Sequence, residues 1–343
     1  MRLTVEDGVR LFDDDPIELG LRADSIRRKK FGDVTTFIID RNINYTNVCE
    51  NECRFCAFYR RAGSKDAYLL SIEEILDKVR ETVEAGGTQV MIQGGLNPAL
   101  DLKYFETMFR AIKSRYSITI HSLTATEIDW LARRSGLTIV DVLKRLQAAG
   151  LDSLPGGGAE ILVDAIRKKI SPRKISTDGW LDVMRAAHSI GMKTTATMVI
   201  GFGETAAQRI EHMELVRRLQ DETGGFRAFI TWTFQPTNTA LGGSKVSAWD
   251  YMRTLAISRI YLDNIEHIQG SWVTQGERLG QLTQTFGADD LGSIMLEENV
   301  VRAAGTSFEM STRKMIDLIE GAGFRPAQRL TDYSILKYYS PAR

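Results

Sequence analysis

Short runs of β-forming residues alternate with longer amphipathic runs along most of the chain. The β-like runs occupy residues 37–47, 88–93, 117–122, 150–154, 193–201, 226–234, 267–272 and 290–295. After the first of them, apolar residues recur at the spacing of one helix face, as Ile72, Ile75, Leu76, Val79 and Val83. Similar helical patterns occupy residues 104–116, 141–150, 178–191, 206–220 and 247–265. The pattern therefore predicts alternating strands and helices.

Eight strands separated by helices predict an α/β fold with parallel strands, because parallel neighbours need helical crossovers of one hand. Eight such units match a (β/α)8 TIM-type barrel, here over residues 37–300, better than an open doubly wound sheet. A partly open barrel is the alternative. In either case the functional face is the carboxyl end of the strands.

The remaining residues predict short extensions at both ends of the barrel. Helical runs at about residues 5–12 and 16–30 predict an N-terminal helical extension, residues 1–36. A helical run at 311–323, followed by a last extended stretch, predicts that residues 301–343 form a C-terminal cap packed on the barrel.

Charge and composition exclude several classes of function. Lys and Arg total 44 and so do Asp and Glu, which leaves no net charge to attract nucleic acid. A basic run, residues 27–30, is expected to be a solvated helix end. Neither a leader-like apolar core near the N terminus nor an apolar stretch of membrane-spanning length is apparent. We therefore expect a cytoplasmic protein with neither nucleic acid nor a membrane as partner.

All three cysteines, Cys49, Cys53 and Cys56, follow the first predicted strand at a C-x3-C-x2-C spacing. Such crowding excludes a disulfide framework and indicates metal or redox chemistry. A structural zinc ion needs a fourth ligand, and the four histidines lie far away in the sequence. Three thiolates instead suit a four-iron cluster with one iron open, and that open iron argues against a simple electron carrier. An iron–sulfur carrier and a zinc-stabilised binding module remain the alternatives from other classes.

Glycine-rich turns follow three of the predicted strands. Gly94 and Gly95 end the second strand, where glycine allows close backbone approach. The fourth unit, LDSLPGGGAEIL, places Glu160 in the first turn of a helix expected to begin near Ala159. The segment MVIGFGET ends the fifth strand and lacks the Lys-Ser/Thr ending of a phosphate loop.

Polar residues alternate along the sixth strand, FITWTFQP. Thr231, Thr233 and Gln235 share one face, which we expect to point into the barrel while Trp232 and Phe234 pack against the helices. This face is a candidate binding surface.

Two histidines lie on predicted strands and are candidates for proton transfer. They are His121, which precedes Ser122, and His267. His188 and His212 lie in amphipathic helices and are expected outside the site.

The cysteine motif, C-x3-C-x-aromatic-C, resembles the signature of the radical S-adenosylmethionine enzymes. The resemblance implies a [4Fe–4S] cluster held by the three cysteines, S-adenosylmethionine on the open iron, and a 5′-deoxyadenosyl radical formed when an electron cleaves the sulfonium. It also implies an electron donor such as flavodoxin or ferredoxin. The residues that it assigns to the cofactor are Phe55, Gly94, Gly95, Ser122 and Glu160, and it sets the glycines of MVIGFGET beside adenine.

Several further segments, RNINY, SLPGGGAEIL, TTATMVIG, TWTFQP and LEENVV, are similar to the enzymes of the futalosine route to menaquinone and their deazaflavin-making relatives. The reaction implied is a radical cyclisation of dehypoxanthine futalosine, in which a ribose carbon radical closes onto the benzoate ring. His121 is the candidate base for the ring proton. Candidate donors to the substrate carboxylate are Arg60, Thr231, Thr233 and Gln235. The alternatives are an aminofutalosine-forming enzyme and a deazaflavin synthase subunit.

Overall fold

A ring of mostly parallel strands surrounded by helices forms the centre of the computed structural model, which describes residues 2–339. The strands are β1 (Val34–Ile38), β2 (Asp40–Ile43), β3 (Gln89–Ile92), β4 (Thr119–Ser122), β5 (Thr194–Ile200), β6 (Phe226–Thr233), β7 (His267–Gln269), β8 (Asp290–Ser293), β9 (Arg325–Arg329) and β10 (Ile335–Tyr338). The helices are α1 (Val5–Arg10), α2 (Pro16–Phe31), α3 (Ile72–Glu84), α4 (Leu102–Arg115), α5 (Ala125–Ser135), α6 (Ile139–Ala149), α7 (Asp164–Ile170), α8 (Thr177–Ser189), α9 (Ala206–Thr223), α10 (Ala248–Tyr261), α11 (Glu277–Leu282), α12 (Val300–Ala303) and α13 (Thr312–Gly321), with 3-10 turns at Leu11–Asp13 and Thr283–Phe286.

The strands form two sheets, ordered β10-β9-β1-β8-β7-β6-β5 and β2-β3-β4. The first predicted strand is two consecutive segments, β1 and β2. The chain after β8 joins both segments, because Ile294 N donates to Ile38 O (3.1 Å) and Leu296 N donates to Asp40 O (3.0 Å). The strands thus follow one another in the order of a (β/α)8 barrel, which confirms the predicted fold class.

The fourth predicted strand, residues 150–154, is reduced to two isolated bridges. Ser153 pairs with His121 of β4, and Leu154 pairs with Thr194 of β5. These bridges connect β4, the last strand of the smaller sheet, with β5, the last strand of the larger one. A proline and three glycines follow directly and end the pairing, because proline lacks an N–H donor and glycine weakens strands.

Helix α3 illustrates how local sequence determines the helical layer. Ser71 caps its N terminus and forms a capping box with Glu74. Its apolar face buries Ile75, Leu76 and Val79 against the barrel. Burial of this face supplies most of the helix's stability.

Residues 301–339 do more than cap the barrel. Strand β9 pairs in parallel with β1, and β10 returns antiparallel to β9, so the C-terminal stretch extends the main sheet. The loop between them brings Thr331 and Tyr333 against the barrel interior. The predicted cap is therefore also part of the wall around the central cavity.

The basic run at the end of α2 is not fully solvated, contrary to the prediction. Arg27 is completely buried, and its guanidinium donates to Gly32 O (2.7 Å), Val34 O (2.6 Å) and Ala288 O (3.3 Å). Burial lowers the pKa of Arg27 to about 10. These bonds attach the N-terminal helices to the start of β1 and to the residues before β8.

Within residues 2–339, the helices are all too short or too polar to cross a membrane.

Replacing Arg27 with Ala should lower the free energy of unfolding by about 2–4 kcal/mol, because several buried carbonyl groups lose their donor. Chemical denaturation followed by circular dichroism measures this change. Lys29→Ala, at an exposed position of the same helix, is the matched control and should have little effect. Equal stability of the two variants would contradict the assigned role of Arg27.

Candidate active site

The loop after β2 carries the three cysteines and is held by backbone bonds on several sides. Cys49 N donates to Arg60 O (3.0 Å), and Arg60 N donates to Asn47 O (2.7 Å), so the loop closes on itself. Glu50 N donates to Leu96 O (3.0 Å), which attaches the loop to the chain after β3. The loop therefore has a defined shape at the carboxyl end of the strands.

Gly95 allows the cysteine loop to lie directly on the turn after β3. A Cβ atom at Gly95 would lie 2.1 Å from Val48 O and 2.8 Å from Cys49 Cβ. At Gly94 it would lie 2.9 Å from the Tyr45 ring. The predicted need for close backbone approach at these glycines thus has a physical cause, which is packing of the cysteine loop itself.

The three thiols line one cavity of about 250 Å³ at the carboxyl end of the barrel, which we call the outer cavity. Phe55, Gly94 and Gly95 also line it. The Phe55 ring packs against Phe202, with ring centroids 5.5 Å apart. The segment that ends β5 therefore lies beside Phe55.

Glu160 lines the outer cavity from a loop, not from the first turn of a helix as predicted. Helix α7 begins only at Asp164, and Glu160 has a φ of 40°, in the left-handed region. Its Oε1 accepts a hydrogen bond from Lys174 Nζ (2.7 Å), and Arg167 lies 3.8 Å from Oε2. The Glu160 carboxylate is therefore stabilised by Lys174 and Arg167, and not by a helix dipole as expected.

Lys174 was not found from the sequence, because it meets Glu160 only through the fold. Its ammonium lies 5.3 Å from the centre of the Phe55 ring. Burial disfavours its charge, but the charge of the Glu160 carboxylate and its hydrogen bond oppose burial, and the pKa of Lys174 is raised.

The outer cavity fits an iron–sulfur cluster with a polar cofactor beside it. All three cysteines are free thiols, and among residues 2–339 no group of His, Cys, Asp or Glu side chains is arranged to hold a single metal ion. A four-iron cluster binds each thiolate through a different iron, so its three thiols lie farther apart than the ligands of a single metal ion. Burial raises the pKa of Cys53 to about 12 and also raises that of Cys56, so iron must displace a proton from each. Glu160 Oε2 is buried without a hydrogen-bond partner among residues 2–339, which suits a polar ligand.

A second cavity of about 290 Å³ occupies the barrel interior, and we call it the inner chamber. Its polar lining includes Asp40, Asn42, Gln89, His121, Arg227, Gln269, Glu298 and Arg329, and its apolar lining includes Ile38, Met91, Val199, Ile230, Trp232 and Val273. It shares Gln93, Gly157, Gly158, Glu160 and Val300 with the outer cavity. The two cavities therefore adjoin at Glu160.

The predicted orientation of β6 is wrong. Ile230 and Trp232 line the inner chamber, whereas Thr231 Oγ1 lies 3.4 Å from Ser258 Oγ of α10. Thr233 Oγ1 accepts a hydrogen bond from Gln275 Nε2 (2.6 Å). Because both faces of a barrel strand are buried, alternation alone does not distinguish inside from outside.

Gln235 also lies away from the inner chamber. Its Nε2 donates to Thr233 Oγ1 (3.1 Å), and its Oε1 accepts from Thr306 Oγ1 (3.5 Å). It therefore ties the end of β6 to the segment after α12.

Two more predicted binding residues have structural partners. Arg60 forms an ion pair with Asp66 and donates to backbone carbonyl groups of its own loop, such as Tyr59 O (2.9 Å). Ser122 is fully buried, and its Oγ accepts from Ile92 N (3.1 Å). Neither residue lines either cavity.

His121 lines the inner chamber and contacts Ser153. His121 Nδ1 and Ser153 Oγ are 2.8 Å apart, and Ser153 Oγ donates to Lys193 O (2.8 Å). Arg227 Nη2 also donates to Ser153 Oγ. Burial, followed by the positive charges of Arg227 and Arg329, lowers the pKa of His121 well below its ordinary value. His121 is therefore a neutral imidazole at neutral pH.

The other histidines have structural roles. His267 Nδ1 lies 2.6 Å from an Asp289 oxygen, and its ring stacks on Tyr333 with centroids 3.8 Å apart. It does not line either cavity, so the structure gives no support for proton transfer by His267. His212 accepts from Leu162 N (2.9 Å), and His188 lies between hydroxyl groups at Thr223 and Thr194.

Two polar groups of the inner chamber lack partners and were missed from the sequence. Within residues 2–339, Asn42 Oδ1 and Arg227 Nε are buried without a hydrogen bond. Burial lowers the pKa of Arg227 to about 10. The one sequence signal that pointed to Arg227 was its charge within an otherwise largely apolar strand. Because both residues line the inner chamber, a polar ligand bound there would supply the missing hydrogen bonds.

Two family descriptions match the chain. Residues 43–216 match the Radical SAM superfamily, and residues 223–341 match the CofH/MqnC C-terminal region. The first match spans the cysteine loop and β3 to β5. The second spans β6 to β10.

Curated relatives match over nearly the whole chain. The protein is 48% identical to the cyclic dehypoxanthine futalosine synthase of Streptomyces coelicolor, over 98% of this chain and 86% of the relative. It is 47% identical to the enzyme of the same name from Halalkalibacterium halodurans, over 98% and 92% of the two chains. It is also 42% identical to the 5-amino-6-(D-ribitylamino)uracil–L-tyrosine 4-hydroxyphenyl transferase of Archaeoglobus fulgidus, over 94% of each chain.

Solved structures share the fold at low sequence identity. The [FeFe]-hydrogenase maturase HydG from Carboxydothermus hydrogenoformans matches with a TM-score of 0.78 and 17% identity, over 97% of this chain and 77% of that one. Methylornithine synthase (PylB) matches with a TM-score of 0.75 and 20% identity, over 95% of each chain.

Gly95→Ala should cause a several-fold loss of bound iron after anaerobic reconstitution, because the new methyl group collides with Val48 O and displaces the cysteine loop. Iron analysis and visible absorbance measure the loss, and circular dichroism establishes that the variant is folded. Gly179→Ala, with only ordinary 3.4 Å contacts, is the control. Normal iron content in Gly95→Ala would contradict this account of the glycine.

Proposed function

The chain belongs to the radical S-adenosylmethionine superfamily, and we propose that it converts dehypoxanthine futalosine to cyclic dehypoxanthine futalosine in menaquinone biosynthesis. The observation that carries this proposal is the 47–48% identity, over 98% of the chain, to two enzymes named cyclic dehypoxanthine futalosine synthase. The adjoining cavities support it, since one suits a cofactor and the other a polar aromatic substrate.

The proposed cofactors are a [4Fe–4S] cluster held by Cys49, Cys53 and Cys56, and S-adenosylmethionine. When bound, they supply a primary carbon radical that removes a hydrogen atom from the substrate. In this proposal Phe55 contacts the adenine side of the outer cavity. Glu160 accepts hydrogen bonds from the cofactor's hydroxyl or amino groups through Oε2, while Lys174 holds Oε1.

The inner chamber is the proposed substrate site, with the ribose toward Glu160 and the benzoate deeper in the barrel. This direction brings the ribose carbon toward the outer cavity, where the hydrogen atom is removed. Trp232 and Ile230 supply apolar surface for an aromatic ring, and Asn42 Oδ1 supplies a free acceptor. Enclosure by the barrel wall excludes water from the substrate radical.

His121 is the proposed base for the ring proton. Ser153 has one hydroxyl hydrogen, which it donates to Lys193 O, so it accepts from both Arg227 and His121. His121 then carries its proton on Nδ1, which leaves the Nε2 lone pair to accept a proton from the cyclised ring. An electron must leave the ring as well, to a one-electron acceptor, for aromaticity to return.

An electron donor such as flavodoxin or ferredoxin stays a prediction from the family resemblance. The face beside Cys49 carries Arg61, Arg133, Arg134 and Arg173 together with Glu50 and Glu52. Exposed arginines near the cluster loop suit docking of an acidic carrier.

Reconstituted protein should convert dehypoxanthine futalosine to a product of cyclic structure, with 5′-deoxyadenosine formed alongside it. Mass spectrometry and NMR of the product test this, with dithionite and with reduced flavodoxin as separate reductants. Parallel incubations with an enolpyruvyl benzoate, and with tyrosine plus 5-amino-6-ribitylaminouracil, test the two alternative reactions. Turnover of either alternative, without turnover of dehypoxanthine futalosine, would overturn the proposal.

His121→Asn should reduce cyclised product about 100-fold or more, the usual range for loss of a general base, while cleavage of S-adenosylmethionine continues. His188→Asn, which changes a histidine outside both cavities, should keep the two products coupled. Because the pKa of His121 is lowered, the wild-type rate should persist as pH falls through 6.5 and decline only below it. A proportional fall of both products in His121→Asn, or a rate that halves near pH 6.5, would argue against this base.

A further inference from the structure

The benzoate carboxylate of the proposed substrate needs a cationic partner inside the barrel. A carboxylate moved from water into an enclosed chamber loses solvation, which only a charged donor restores. Arg60, Thr231, Thr233 and Gln235 are all held by other partners away from the inner chamber. The carboxylate must therefore bind elsewhere.

Arg227 lies at the end of the chamber opposite the cysteine loop. It is the second residue of β6, at the amino end of that strand, whereas the cysteine loop follows the carboxyl end of β2. Its guanidinium lines the inner chamber and uses Nη2 to hold Ser153 Oγ. Nε has no partner among residues 2–339.

Arg227 also has no carboxylate partner. In the described part of the chain, no Asp or Glu oxygen lies within 4.0 Å of its guanidinium, whose only side-chain hydrogen bond there goes to Ser153 Oγ. The neighbouring Arg329 shows the contrast, because it binds Asp290 through two hydrogen bonds of 2.5 and 3.0 Å.

Asp40, an acid that lines the inner chamber, is already engaged. Asp40 Oδ2 accepts from Gln89 Nε2 (2.6 Å), and burial raises its pKa, which favours the neutral form. Asp332 acts on the charge of Arg227 only from beyond ion-pair distance. Of the two arginines that line the inner chamber, Arg227 is therefore the one without an ion pair in the described residues.

We propose that Arg227 binds the carboxylate of the aromatic substrate at the inner end of the chamber. This assignment rests on the proposed function. A guanidinium offers paired N–H donors that match the two oxygens of a carboxylate, and Nε is free for one of them. The same side chain holds Ser153, so the bound benzoate ring lies beside His121, where its proton is to be removed. Arg227 thus sets both substrate selection and ring position.

The test compares the substrate with its benzamide analogue, in which a neutral amide replaces the carboxylate. Isothermal titration of holoenzyme with S-adenosylmethionine, without reductant, measures binding of each compound to wild type, Arg227→Gln, Arg227→Lys and Arg217→Gln. Arg217 is a buried arginine paired with Glu214, outside the chamber, and is the matched control. Melting temperatures establish that each variant is folded.

Wild type and Arg217→Gln should bind the acid about 10- to 100-fold more tightly than the amide. Arg227→Gln should lose that preference through weaker binding of the acid, with little change for the amide, and Arg227→Lys should keep part of it. If Arg227→Gln does not fold, an unchanged acid preference in Arg227→Lys counts against the proposal, and a reduced one supports it.

Four results would overturn the proposal. Equal weakening of acid and amide in Arg227→Gln would assign Arg227 a structural role only, as would an unchanged preference for the acid. A wild-type enzyme that neither binds nor cyclises dehypoxanthine futalosine would overturn the proposed function together with this assignment. A wild-type enzyme that cyclises the substrate but fails to prefer the acid overturns the assignment alone.

Discussion

The site depends on one constraint: polar groups buried around the barrel interior need hydrogen-bond partners. Side chains usually fill the interior of an eight-stranded barrel, but here a chamber of about 290 Å³ remains. Within residues 2–339, Glu160 Oε2, Asn42 Oδ1 and Arg227 Nε lack a hydrogen-bond partner around the two cavities. Each such group costs about 1–3 kcal/mol when buried unpaired, so a bound ligand is the natural source of its missing hydrogen bonds.

The rest of the fold keeps those groups in position without satisfying them. Arg329 is neutralised by Asp290 and Lys174 by Glu160, so the neighbouring charges are paired. The C-terminal strands supply Arg329 and also bring Tyr333 to the chamber wall. A segment that the sequence indicated as a cap is thus needed for the shape of the site.

The two ends of the barrel carry different functional groups. The carboxyl end presents the cysteine loop, and its position depends on the absence of a side chain at Gly95. The inner end presents Arg227 and, through Ser153, His121. Glu160 lies where the two cavities meet, which is where the proposed function requires cofactor and substrate to come together.

The sequence by itself determined the barrel class, the positions of most helices and strands, the cysteine motif and the glycine turn after β3. These features depend on residues close together in the chain: helical or strand periodicity, caps and the spacing of three thiols. The family resemblance, carried by the same local motifs, extended this to the reaction class.

Only the tertiary structure decided which face of β6 lines the chamber, that Arg27 is buried, that Lys174 pairs with Glu160, and that Arg227 Nε has no hydrogen-bond partner in the described residues. Both faces of a barrel strand are buried, so Thr231 finds its partner in the helical layer while Trp232 faces inward, and alternation is the same in either orientation. Pairing of a charge depends on residues from distant parts of the chain, which meet only when the barrel forms. Local patterns therefore specify the scaffold, and long-range packing specifies which polar groups remain free to bind a substrate.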